Sequence, residues 1–232
     1  MEQYEEQFSM NENENDFFNT ESTLPMAFIR KVFLTFLASL GIATIGCFIG
    51  LSHNVLPTVS KNYLPFAILE IATCFLVYYF RKQHGTNLVM LCLFTFISGL
   101  TLSPIIAAYL QLHDVAIIKE ALLLTTIVFS GLTSYVFITK KDFSYLSGFL
   151  SCTLWGLIGL GILQLFFPFA GTMRLVYLYG GVLIFSGYIL YDVSQIIQKK
   201  TDDYILCAVS LYLDFINLFL FILQILAGGK RK

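Results

Sequence analysis

Three carboxylates stand where the neighbouring residues offer no water. Asp192 ends the run Ser186-Gly187-Tyr188-Ile189-Leu190-Tyr191, Asp214 sits inside Leu211-Tyr212-Leu213-Asp214-Phe215, and Glu70 interrupts Ala67-Ile68-Leu69-Glu70-Ile71-Ala72. Ionisable groups in such apolar surroundings are costly. Where they persist they mark ion pathways, proton relays or counter-ion sites. Spacing pairs two of them. Asp192 lies ten residues before Asp202 and Asp214 eleven after Asp203. If both runs are helices joined at that acidic turn, each carboxylate is ~15 Å from it, so antiparallel neighbours carry the two at one depth. Two carboxylates in a low-dielectric site cannot both ionise cheaply, so one proton is shared and the pair titrates as a unit.

The flanking residues support a common face. Ser210, Asp214, Asn217 and Gln224 are spaced four, three and seven apart, and Tyr188, Asp192 and Gln195 four and three apart. Each set forms one polar stripe on an otherwise apolar helix. Polar stripes within an apolar bundle face one another or a wet cavity, and Ser210 and Asn217 are candidate cavity-lining residues. Hydrogen-bonded glue between helices is the other reading of the pair, although uncharged Ser or Asn would serve that purpose at lower cost. Arg81 closes an earlier apolar run on the side of the acidic turn. There it either snorkels to lipid headgroups or reaches inward towards Asp192. Glu70, eleven residues before Arg81, is ~16 Å deeper. It either lines the same cavity or is a protonated structural residue.

The elements that must position these groups are membrane spans. Of 232 residues, 57% are hydrophobic and only 12% charged, against roughly 25% charged in a soluble domain. A net charge of -1 gives no reason to expect nucleic acid. Residues 1–24 hold seven acidic side chains and no basic one, which reads as a disordered acidic tail. A signal peptide is not expected, because a basic start followed by an apolar core is missing. Residues 25–228 then alternate apolar runs with short charged clusters, and 229–232 form a short basic end. A helix needs about 20 residues to cross ~30 Å of hydrocarbon. Seven runs meet that scale: Phe28–Leu51, Leu64–Phe80, Leu88–Leu110, Glu120–Ile138, Phe143–Phe167, Leu175–Ile197 and Tyr204–Ala227. Helices are expected because each satisfies its own backbone in lipid. The fold class is therefore all-α and polytopic. Gly46 with Gly50, and Gly180 with Gly187, have spacings that bring helices together. The cysteines Cys47, Cys74, Cys92, Cys152 and Cys207 lack zinc-type spacing and read as buried apolar side chains.

Lys and Arg give the orientation. Arg30, Lys31, Arg81, Lys82, Lys140, Lys141, Lys199 and Lys200 fall on one side, and Lys61, Lys119 and Arg174 on the other. The N-terminus is thus expected in the cytoplasm. Lys230-Arg231-Lys232 conflicts with seven spans. A re-entrant last segment would bring that end inside, whereas its 24-residue length favours a true span.

The segments Ile184-Phe185-Ser186-Gly187-Tyr188-Ile189-Leu190-Tyr191-Asp192 and Leu211-Tyr212-Leu213-Asp214-Phe215-Ile216-Asn217-Leu218-Phe219 resemble the signature of the Bax inhibitor (transmembrane Bax inhibitor motif) family. The resemblance extends to Ile68-Leu69-Glu70 and to Ser98-Gly99-Leu100-Thr101-Leu102-Ser103-Pro104-Ile105, and covers residues ~25–228. It is nearest to bacterial members described as pH-sensitive calcium leaks. It implies seven spans with the last one central, in the inner (plasma) membrane of a bacterium. It also implies an aspartate dyad at Asp192 and Asp214 and a latch at Arg81. Calcium prefers six to eight oxygen ligands, so two aspartates would bind it weakly, as suits permeation. The expected function is a pH-regulated calcium leak with no resident cofactor, whose partners are the bilayer, calcium ions and protons. The alternative is a non-enzymatic regulator of partner membrane proteins, with the acidic tail carrying contacts. An enzyme is not expected. Tyr191-Asp192 matches the first motif of presenilin-like proteases, but Leu211-Tyr212-Leu213-Asp214 lacks their GxGD.

Overall fold

The computed structural model describes the backbone of residues 2–83, 85–112 and 115–229, and side chains within 26–228. Among the described residues there are eight α-helices: α1 (Glu2–Gly50), α2 (Leu56–Lys61), α3 (Tyr63–Phe80), α4 (Thr86–Leu112), α5 (Val115–Thr139), α6 (Ser147–Phe166), α7 (Gly171–Ile197) and α8 (Tyr204–Gly229). Seven are long and apolar enough to cross a membrane, with α2 the short exception. α8 is one unbroken helix, ~39 Å long, so the re-entrant alternative does not hold. Lys230-Arg231-Lys232 lies outside the described residues. The helix α1 runs back to Glu2, so the acidic stretch expected to be disordered has helical backbone. Its span proper is Met26–Gly50.

Helix ends differ from the expected ones where charge was taken as a boundary. α5 starts at Val115 and α7 at Gly171, so Arg174 lies in the first turn of α7, and Lys119 and Glu120 lie in the second turn of α5. Long charged side chains near a span's end reach the headgroups without ending the helix. Pro104 sits inside α4 and leaves the Leu100 carbonyl without its backbone donor. The Ser103 hydroxyl donates to that carbonyl at 2.7 Å, so the helix continues.

The bundle is apolar outside, with Phe75, Trp155 and Leu165 exposed, while Ser39, Thr95, Thr101 and Thr125 are buried within it. That pattern suits lipid as solvent. The buried hydroxyls bond carbonyls of their own helix, as Thr125 does to Ala121 at 2.7 Å. Burial also ranks the helices: 67% of α8's apolar span is buried, against 11% for α3 and α6. α8 is the central helix and packs against α1, α4, α5 and α7. Aromatic rings fill one side of it. Phe215 lies 5.5 Å from Phe129 and 6.0 Å from Phe36.

Gly46 and Gly50 do mark a packing face. A Cβ at Gly46 would strike the Phe96 carbonyl, and one at Gly50 the Ser103 side chain. On α7 the expectation is half right. Gly187 abuts Leu150, but Gly180 faces open space and the glycine in contact is Gly181. The five cysteines are free, yet only Cys207 is buried, while Cys92 and Cys152 are exposed on the outer surface. In lipid a thiol there is as comfortable as an alanine.

Candidate functional site

α7 and α8 form the expected hairpin, and its geometry joins the two aspartates. The Asp192 carboxyl lies beside the Asp214 carboxyl and the Ser210 side chain, and all three line one cavity. Asp214 is buried, at 5% exposure, and its Oδ2 has no hydrogen-bond partner. An orphaned buried carboxyl oxygen is expensive. Asp192 borders open space and is less buried.

That space is a cavity of about 490 Å³ between α6, α7 and α8, lined by Asp192, Asp214, Ser210, Asn217 and Tyr188 among others. Two of the candidate lining residues, Ser210 and Asn217, are therefore at the cavity. The Asn217 amide donates to the Leu213 carbonyl at 2.7 Å, and Tyr188 sits beside Ser151 of α6. A smaller cavity of about 220 Å³ shares Asp192 and Ser210 with the first. It extends to Thr201 and Leu206. These two also border a third cavity, of about 570 Å³, lined by Arg81, Lys31, Lys82, Asp202 and Asp203. Shared residues thus link the dyad, step by step, to the charged end of the bundle.

Arg81 is at that end and does not reach the dyad. Its Nε pairs with Asp203 at 3.7 Å, and its guanidinium lies 4.1 Å from the centre of the Tyr78 ring. Asp203 begins α8, its Oδ1 accepting from Ile205 at 3.1 Å and Leu206 at 3.2 Å. A carboxylate at a helix N-terminus is favourable there, and this one lies nearer the headgroup level, where Arg81 has less hydrocarbon to cross. The pair therefore ties the end of α3 to the start of α8. Sequence reasoning passed over Asp203 as a turn residue. The available signal was a capping aspartate level with a lone arginine.

Glu70 is not at the dyad cavity. Its Oε2 accepts from Thr101 of α4 at 2.6 Å. Close by, Tyr212 of α8 sits beside Ser98 of α4. Tyr212 and Asp214 are two residues apart, hence ~200° apart around α8, and the clusters occupy opposite sides of that helix. No group of three or more His, Cys, Asp or Glu side chains converges among the described residues. A cation at the dyad would meet two carboxylates, hydroxyl and amide oxygens, and water.

The basic loops share one face. Lys200 donates to Asp142 and Ser144 at 2.5 Å, and Gln195 to Ser144 at 2.6 Å. Lys31 lies 3.6 Å from the centre of the Tyr204 ring. The Lys200 hydrogen bond, then those of Ser144, hold the Asp142 carboxyl down at about 2.

A family model described as "Inhibitor of apoptosis-promoting Bax1" matches residues 25–232. The chain belongs to the Bax inhibitor family. Membership extends beyond bacteria. An uncharacterized protein of Campylobacter jejuni is 36% identical over 221 residues, 94% of this chain and 95% of that protein. The "Golgi anti-apoptotic protein" of vaccinia virus (strain Lister) is 35% identical, over 89% of this chain and 87% of its own. The "Bax inhibitor 1" of Schizosaccharomyces pombe is 35% identical, over 88% and 77%. The family model's match begins at residue 25, while the Campylobacter jejuni alignment, over 94% of the chain, takes in part of the acidic stretch before it.

Proposed function

We propose that this Bax inhibitor family protein is a pH-regulated cation leak, with calcium as cargo. In this reading Asp192 and Asp214 form the proton-controlled site. Arg81 acts at the charged end by holding α3 to α8 through Asp203. The observation that carries the reading is the dyad's place on the larger cavity, with Asp192 also bordering a second, and a third, lined by Arg81, sharing Thr201 and Leu206 with that second one. Polar glue between helices needs no adjoining space, whereas an ion site does.

The chemistry follows from charge. A protonated dyad offers a cation no net charge and stays compact. Loss of the shared proton places two negative charges side by side in a low-dielectric setting, where they repel and draw in water or a cation. Flux should therefore rise with pH across the window in which the pair ionises. Weak binding by a few oxygens and retained water suits passage. The basic loop face, by the excess of Lys and Arg, would be cytoplasmic, in the inner membrane of a bacterium.

The test is calcium entry into liposomes holding only the purified full-length protein, read with an internal dye over a pH series. Entry above that of empty liposomes, rising with pH, is the expected result. Entry equal to empty liposomes at every pH would overturn the reading. It would favour a regulator of partner membrane proteins, the alternative that the anti-apoptotic names of the viral and yeast relatives support.

A further inference from the structure

The dyad cavity ends, away from the acidic turn, in aromatic rings that the leak reading has not yet used. Phe185 precedes Asp192 by seven residues and Phe221 follows Asp214 by seven. Seven residues are two helical turns, so each ring shares its aspartate's face and stands ~10 Å beyond it. The Phe221 ring lies 5.9 Å from Phe185 and 5.5 Å from Tyr177, and Tyr177 lies 6.0 Å from Phe169 just before α7. Four rings thus run in file from the cavity to the start of α7. Phe221 has a specific seat. Gly181 leaves a notch in α7, and a Cβ there would strike the Phe221 ring. The ring bridges α8 to α7 because residue 181 has no side chain.

We infer that Phe221, seated in the Gly181 notch, is a hydrophobic gate between the aspartate dyad and the membrane face opposite the acidic turn. The inference rests on the leak reading for what passes, but not for where the barrier lies. Apolar constrictions stop ions by excluding the water that must accompany them. The dyad side of the ring carries Asp192, Asp214, Ser210 and Asn217, and the ring leads on to Tyr177, at the cavity's apolar end, and then Phe169. A phenyl ring turns about two side-chain bonds, so leaving the notch requires a rotamer change and not a helix displacement. The gate and the Arg81–Asp203 pair would then control opposite ends of one path.

Two measurements test it on the full-length protein in liposomes, with size-exclusion profile and melting temperature confirming a folded species. The first is calcium entry. Phe221→Ala should raise it severalfold at a pH where the wild type is nearly shut, while keeping the rise with pH. Gly181→Ala, which fills the notch and pushes the ring out while leaving residue 221 unchanged, should raise it in the same direction. The second does not depend on flux. Asn217→Cys places a thiol on the dyad side of the ring. Its labelling by a charged, membrane-impermeant methanethiosulfonate added on the side opposite the acidic turn is measured as the excess over the chain with its native cysteines alone. That excess should be small, and should rise severalfold when Phe221→Ala or Gly181→Ala is added. If labelling rises but no variant conducts, the gate stands and the leak reading fails. If neither folded variant changes labelling, the ring is packing and the inference is overturned, whatever the flux. Should Phe221→Ala not fold, Gly181→Ala alone decides.

Discussion

Two helix pairs in this bundle, α1 with α4 and α7 with α8, solve the same packing problem in opposite ways. The first closes backbone on backbone. A Cβ at Gly99 would strike the Ala43 carbonyl, and one at Gly46 the Phe96 carbonyl. At this interface the Ser103 hydroxyl bonds its own helix at 2.7 Å. The second pair places two carboxylates, a serine and an asparagine beside a cavity of about 490 Å³. Close approach gives stability in lipid, where burial of apolar surface supplies no driving force between helices. Space beside unsatisfied polar atoms gives a site. The contrast predicts that substitutions at the first interface change folding and that substitutions at the second change transport.

The largest expected effect would break the first half of that contrast. Gly99→Leu forces a side chain into the α1 backbone, and overpacking of this kind costs ~1–3 kcal/mol or more. A clear fall in melting temperature and loss of a monodisperse size-exclusion peak are expected. Gly131→Leu, at an α5 position facing open space, should leave both unchanged. Equal behaviour of the two variants would mean that the close approach carries no special weight.

Next in size is the charged end of the path. Arg81→Ala removes the tie to Asp203 and should raise basal calcium entry severalfold, with Asp203→Ala matching it and the double variant adding little. Arg81→Lys should recover part of the wild-type behaviour, because the contact is a single Nε one at 3.7 Å and not a bidentate pair. Unchanged entry in folded Arg81→Ala and Asp203→Ala would reduce the ion pair to a surface contact.

The smallest effect concerns the clasp between the loops before α6 and α8. Asp142 is held at about 2 by Lys200 first and Ser144 next, below the ~3.9 of an unfolded chain. A depressed carboxyl contributes stability above the unfolded value and loses it as pH falls through the folded one. Asp142→Asn should thus lower the melting temperature slightly at neutral pH, with the gap narrowing as pH falls from ~4 towards about 2. Exposed pairs of this kind contribute little, and calcium entry should not change. A change in its pH profile would show that the clasp is coupled to the dyad.

Which parts were legible in the sequence follows from what each inference required. Asp192 and Asp214 came out paired because a hairpin fixes depth by counting from its turn, and polar stripes fix the faces. Gly46 and Gly50 could be read because their partner only had to be a helix. Arg81 needed more. Its two candidate partners, Asp192 and Asp203, lie eleven residues apart on different helices, and only the packing of α3 against α4 places the guanidinium beside the second. Glu70 stayed open between its two readings for the same reason: only the packed bundle shows that it bonds Thr101 and that Thr101 and the cavity lie on different sides of α8. The short helix α2 was invisible because six residues carry too little periodicity, and its Leu56-Pro57 start reads equally as a turn. Gly181 lost to Gly180 because helical phase is uncertain by one residue without a neighbour to define it.

The most direct test of the central claim, that Asp192 and Asp214 act as one proton-controlled ion site, is a four-way comparison of calcium entry against pH. Wild type, Asp192→Asn, Asp214→Asn and the double variant are each confirmed as folded and assayed in liposomes. Asn keeps the shape and removes the titrating charge. Each single variant should lose most of the pH response, and the double should add little, because the two carboxyls share one hydrogen-bonded unit. A folded Asp214→Asn that keeps the wild-type pH profile would contradict the account.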